Sequence, residues 1–336
     1  SVARVVYGPS RLLMLMTLAA QSGLDFSIFI TPDPVSTLAL AGVVPGVVTT
    51  AALLVVWWKP QRDDAATEPA EGSPRRSSLL WLVPIVLASI AVFAEIVIRG
   101  WPQAFFPVQV GKRFVVLAAG LALAGLMHAL VRPRWLGLVQ GVVLAAGAIT
   151  VTLIEPRLRP DHDRLNGALL HVGAVTVALS ALVAGLGWAH DRCRGWLVPA
   201  ASFPAVALAG PVLVLANTAP AAQLSALLPA AVSAAVLVAF IRPGLTLGRG
   251  GWTVLMGWHV ALVVYNTFWG FKGLHPLTAG AIAKAPIGGL VCALPKIRDW
   301  PTLGRLALGS ATSLVLALAA LIPAYLDAAN TADSMY

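Results

Sequence analysis

The sequence predicts an all-α, polytopic membrane protein, a single transmembrane domain over residues 1–336 with about eleven spans, ten to twelve being compatible. Three observations carry that expectation. The composition is 58% hydrophobic and only 11% charged, whereas an ordinary soluble domain carries roughly 25% charged residues. The apolar residues come in near-continuous stretches of about 20, the length that crosses a hydrocarbon core. These stretches, such as Val115 to Val131, do not alternate apolar with polar as barrel strands do. Helices are then the form that satisfies the backbone in lipid.

Taken in order, the expected spans are 11–31, 35–58, 79–98, 113–131, 135–155, 167–189, 196–217, 221–241, 252–270, 275–295 and 303–325. The first begins with Arg11 and the apolar run Leu12 to Ala20, an order shared with secretory signals but here lacking a small-residue cleavage site. Asp25, Pro32 and Pro34 interrupt the first pair. The polar stretch 59–78, rich in Ala, Pro, Glu, Ser and charge, lacks the apolar content to fold alone and reads as a cytoplasmic loop. It is also the expected docking segment for any protein partner. The third span carries Glu95 three residues from its end. The fourth and eighth each stop at an apolar-Arg-Pro step, Val131-Arg132-Pro133 and Ile241-Arg242-Pro243. The sixth follows an outer turn, Pro160-Asp161-His162-Asp163. The seventh contains Pro199, Pro204 and Pro211 and ends near Asn217, so several of its carbonyls lack intrahelical donors. The ninth holds Tyr265, Asn266 and Trp269 near one end. The tenth is interrupted by Lys284 and Pro286, and the eleventh runs to residue 325.

Basic residues set the direction of insertion, since short cytoplasmic loops gather Lys and Arg. Segments after even-numbered spans hold Lys59, Arg62, Arg75, Arg76, Arg132, Arg134, Arg192, Arg194, Arg242, Arg249, Lys296, Arg298 and Arg305, which with Arg4 and Arg11 makes 15. Segments after odd-numbered spans hold seven: Arg99, Lys112, Arg113, Arg157, Arg159, Arg164 and Lys272. The N-terminus is expected in the cytoplasm and the C-terminus outside, in a bacterial inner membrane. The net charge of +9 is thereby spread along helix ends rather than gathered into a nucleic-acid surface, and no nucleic-acid partner is expected. The surrounding partner is the lipid bilayer.

Charge within a span is costly and accompanies cavities, pairs or ion paths. Lys284, in Ala281-Ile282-Ala283-Lys284-Ala285-Pro286-Ile287-Gly288-Gly289, is therefore the leading candidate. Pro286 frees a carbonyl there, and two glycines admit a close neighbour. A broken helix with a cation near mid-depth matches the anion or proton sites of transporters. Asp25 and Glu95 are candidate counter-charges, with Asn266 and Asn217 as polar neighbours. The function expected is transport, as a permease or channel-like subunit. A structural subunit of a larger secretion or respiratory complex is the alternative, since the loops are short.

A second alternative is a haem-binding redox subunit, because haem b needs axial histidines on facing helices. His128 with His259, and His171 with His275, form the pairs that the span order allows. No cofactor is otherwise expected. Cys193 and Cys292 are too few for a zinc site, and as cytoplasmic thiols they are expected to be free. Neither a Gly-x-Ser-x-Gly elbow nor a His-Glu-x-x-His helix occurs, so no catalytic motif marks an enzyme.

Overall fold

The computed structural model describes residues 34–56, 80–99, 113–154, 162–193, 195–216, 219–241, 247–269 and 273–333. The chain divides into two compact units, Ser1–Thr37 and Leu38–Tyr336, and the helical bundle is the second. Its helices, numbered along the chain, are α1 (Pro34–Val56), α2 (Leu82–Arg99), α3 (Phe114–Leu130), α4 (Arg134–Ile149), α5 (His162–His190), α6 (Leu197–Leu215), α7 (Ala219–Ser225), α8 (Leu227–Ile241), α9 (Gly248–Trp269), α10 (Pro276–Lys284), α11 (Gly288–Val291), α12 (Pro295–Arg298) and α13 (Thr302–Asp333). A π-helical turn, Thr150–Ile154, extends α4, and a 3₁₀ turn, Ala285–Ile287, joins α10 to α11. Among the described residues there is no strand.

Every expected span from the second to the eleventh falls on helix, and the first lies outside the described residues. Five helical stretches are long and apolar enough to cross a membrane: Arg134–Ile154, Leu170–His190, Leu197–Leu215, Ala221–Ile241 and Thr302–Ala329. Val43–Val55, Leu82–Ile96 and Phe114–Leu130 are apolar but shorter.

The bundle is organised around α9, which packs against α2, α3, α4, α5, α6, α7 and α10. From Gly250 to Val264 all of its side chains are buried. A helix apolar all round belongs in a protein interior, and its small residues explain how so many neighbours fit. Gly125 of α3 and Gly250 of α9 meet backbone to backbone, since a Cβ on Gly125 would lie 2.8 Å from the Gly250 carbonyl oxygen. Leu121 fills the space beside Gly257 in the same interface. Phe114 adds edge-to-face contacts with Trp258 and Tyr265, at 5.5 and 5.2 Å between ring centroids.

The π turn of α4 has a local cause. Thr150 and Thr152 turn their hydroxyls back onto the carbonyls of Ala146 and Ala148, at 2.8 and 2.6 Å, which competes with the helix ladder. Trp269 Nε1 then donates to the Leu153 carbonyl at 2.8 Å, tying the wide turn to the end of α9.

Candidate functional site

Four helix ends meet at one end of the bundle: the C-terminal turns of α3 and α5 and the first turns of α4 and α9. They enclose a pocket of about 470 Å³ whose walls include His128, Arg134, Trp135, Leu138, Val183, Trp188, Asp191, Arg192 and Arg249. Three guanidiniums face one carboxylate. Arg134 and Arg249 both sit in the first turn of a helix, where the macrodipole is already positive and a cation is locally disfavoured. Asp191 follows the last residue of α5, the negative end, and is disfavoured there for the same reason. Its ion pair with Arg249 joins the two helix ends and offsets both conflicts. Arg134 is exposed and makes no such pairing with a described residue, and Arg192, also exposed, lies over the Trp188 ring at 4.2 Å. Charges placed against local preference are a mark of functional sites, and here they concentrate positive potential in one cavity.

His128 is tied to α9 through one hydroxyl. Thr253 Oγ1 lies 3.1 Å from the Arg249 carbonyl and 2.8 Å from His128 Nδ1, and the ring lines the pocket. Gly141 makes this placement possible, because a Cβ there would lie 2.9 Å from the Cβ of His128.

The broken helix α10–α11 is constructed differently. Pro286 has no N–H for the Ile282 carbonyl. That oxygen instead accepts from Ala285 N–H and from His259 Nε2 at 2.9 Å. Ser202 Oγ donates to the Pro286 carbonyl at 3.1 Å. Gly288 and Gly289 are filled against Ser313 and Gly309 of α13 and Ser202 of α6. Lys284 is exposed, on the outer side of this segment, and makes no hydrogen bond or ion pair with any described residue. The glycines expected to admit a ligand are thus occupied by neighbouring helices, while the lysine points away from them.

The remaining sequence candidates are dispersed. Glu95 is buried in α2, and Asn266 is buried on α9, where its amide donates to the Leu262 carbonyl at 3.1 Å. Asp25, Asn217 and the loop 59–78 lie outside the described residues. Among the histidines, His128 of α3 meets Thr253 of α9, whereas His259 of α9 meets the Ile282 carbonyl of α10. His171 packs edge-on against Phe268 at 4.8 Å, and His275 caps α10 by accepting from Leu277 N–H at 3.3 Å. No group of three or more His, Cys, Asp or Glu able to hold a metal ion occurs among the described residues.

Cys193 and Cys292 are free thiols brought close together with Arg305 between them. Arg305 donates to Cys193 Sγ at 3.0 Å and to the Cys292 carbonyl at 2.9 Å. Burial pushes the Cys193 thiol above its ordinary range, with the Arg305 guanidinium opposing the rise.

Sequence reasoning treated Arg134, Arg192 and Arg249 as orientation anchors and passed over Asp191 and Thr253. The available signal was the wrong-signed charge at three helix ends, Arg in two first turns and Asp after a last one. No protein-family model, curated protein or solved structure matches this chain.

Proposed function

We propose that this is a multi-span inner-membrane protein of transport type, with about eleven spans, its N-terminus in the cytoplasm and its C-terminus outside, that takes up an anion through the basic pocket. The observation that carries the reading is the convergence of Arg134, Arg192 and Arg249, from three separate connecting segments, on one cavity holding a single carboxylate. The same three segments were assigned to one face of the membrane by the distribution of Lys and Arg, and Arg305 and Cys193, from two such segments, also meet. Both meetings support a consistent count of crossings between them. Arginine suits the task because its planar fork stays charged and binds oxyanions bidentately.

Proteoliposomes assayed for uptake of labelled inorganic phosphate, glycerol 3-phosphate and succinate test this. Uptake of one or more, reduced about tenfold by Arg192→Gln, is expected; no uptake of any of the three removes transport. For the orientation, protease added to intact spheroplasts should release a C-terminal tag, and protection of that tag reverses it.

A second reading, a subunit of a larger membrane assembly, is favoured by Lys284. An ammonium on the flank of an apolar segment costs several kcal/mol if it faces lipid, so protein or water covers it. Native purification in mild detergent discriminates: a stoichiometric partner lost on Lys284→Glu supports assembly, and a monomer unchanged by that substitution removes it.

A further inference from the structure

Resting on the reading that the basic pocket is the ligand site, we infer that its ligand is a phosphomonoester attached to an apolar group. The charge count selects the phosphate. Arg249 is already matched by Asp191, whereas Arg134 and Arg192 are exposed and make no ion pair with a described residue, so both guanidiniums are available to a ligand. A phosphomonoester brings close to two negative charges at neutral pH and can engage both, whereas a carboxylate or a phosphodiester brings one and gains less from the second. Guanidiniums also meet phosphate oxygens in parallel pairs of short hydrogen bonds.

The apolar part follows from the remaining walls, Trp135, Leu138 and Val183. Trp135 is 66% exposed, and its indole, on the pocket wall in the first turn of α4, offers a face to an apolar or amphiphilic group.

This chemistry exists both as a soluble phosphate ester and as a lipid head group. Glycerol 3-phosphate and lysophosphatidic acid carry the same phosphomonoester and an alcohol, and differ by one acyl chain. The whole protein, purified in detergent, is titrated with each, by calorimetry for the first and native mass spectrometry for the second. Lysophosphatidylglycerol, a diester with one charge, is the control. Both monoesters are expected to bind one per chain and to compete with each other, with the diester at least about tenfold weaker. Arg134→Gln and Arg192→Gln are each expected to weaken binding about tenfold or more, the worth of a charged hydrogen-bond pair.

Tighter binding of lysophosphatidic acid, lost with Trp135→Ala, assigns the lipid source. Equal affinity for the two, unaffected by Trp135→Ala, assigns the soluble one. Failure of both monoesters to bind, equal affinity for monoester and diester, or full affinity in both arginine variants overturns the inference. Because no flux is read, uptake of succinate without phosphomonoester binding would sink this assignment and leave the transport reading standing, and the reverse pattern would do the opposite.

Discussion

In the broken helix α10–α11, the carbonyls of Ile282 and Pro286 are met by His259 and Ser202, and the glycines are filled by α6 and α13. In the basic pocket, by contrast, Arg134 has no counter-charge among the described residues and some 470 Å³ stays open. Both regions break a rule of local structure. One repairs the break within the protein; the other leaves charge and space for something else. A discontinuity in a helix is therefore weaker evidence of a binding site than unmatched charge around a cavity, because packing alone can absorb the former.

Substitutions that separate stability from anion binding sharpen or break this contrast. The largest stability effect is expected for Gly288→Val, whose side chain would run into Ser313 and the Gly309 carbonyl. Such overpacking costs about 1–3 kcal/mol, read as a lower Tm in detergent, while any protein that folds keeps its anion affinity. Next, Arg134→Gln together with Arg192→Gln should abolish measurable anion uptake while lowering stability by no more than about 1 kcal/mol, the worth of the lost stacking on Trp188. A drop in Tm as large as that of Gly288→Val would make the pocket structural after all.

Ser202→Ala removes the donor to the Pro286 carbonyl, and a loss of about 1 kcal/mol is expected, with uptake kinetics unchanged. A change in KM with no change in Tm would instead make the broken helix part of the transport path. The smallest effect is expected for Lys284→Ala, within about 0.5 kcal/mol in stability and with unaltered uptake per folded protein. Loss of uptake in that variant would restore the lysine as the central residue and collapse the distinction between the two regions.

Hydropathy located the described helices because it is a local property: a stretch that is apolar for 20 residues is apolar whatever surrounds it. It placed α9 as a span but did not show its standing in the bundle. That helix carries Arg249, His259, Asn266 and several glycines, and it is not among the five most membrane-like stretches. It is nevertheless the packing axis, because glycine at Gly125, Gly250 and Gly257 decides how closely neighbours approach, and closeness is a relation between helices that no single stretch records. The direction of the Lys284 side chain was illegible for a related reason. Each residue turns a helix by about 100°, so position along the segment says nothing about which way the ammonium points.

What the sequence determined by itself was the material and its distribution: helix without strand among the described residues, ten segments that fall on helix, and Arg at the ends of those segments. Those depend on composition within one stretch at a time. Only the tertiary structure decided that Arg134, Arg192 and Arg249 share a cavity, that Asp191 matches just one of them, and that Thr253 meets His128. These residues are separated by up to 125 positions along the chain, and electrostatic balance is a matter of ångströms in space rather than of order in sequence.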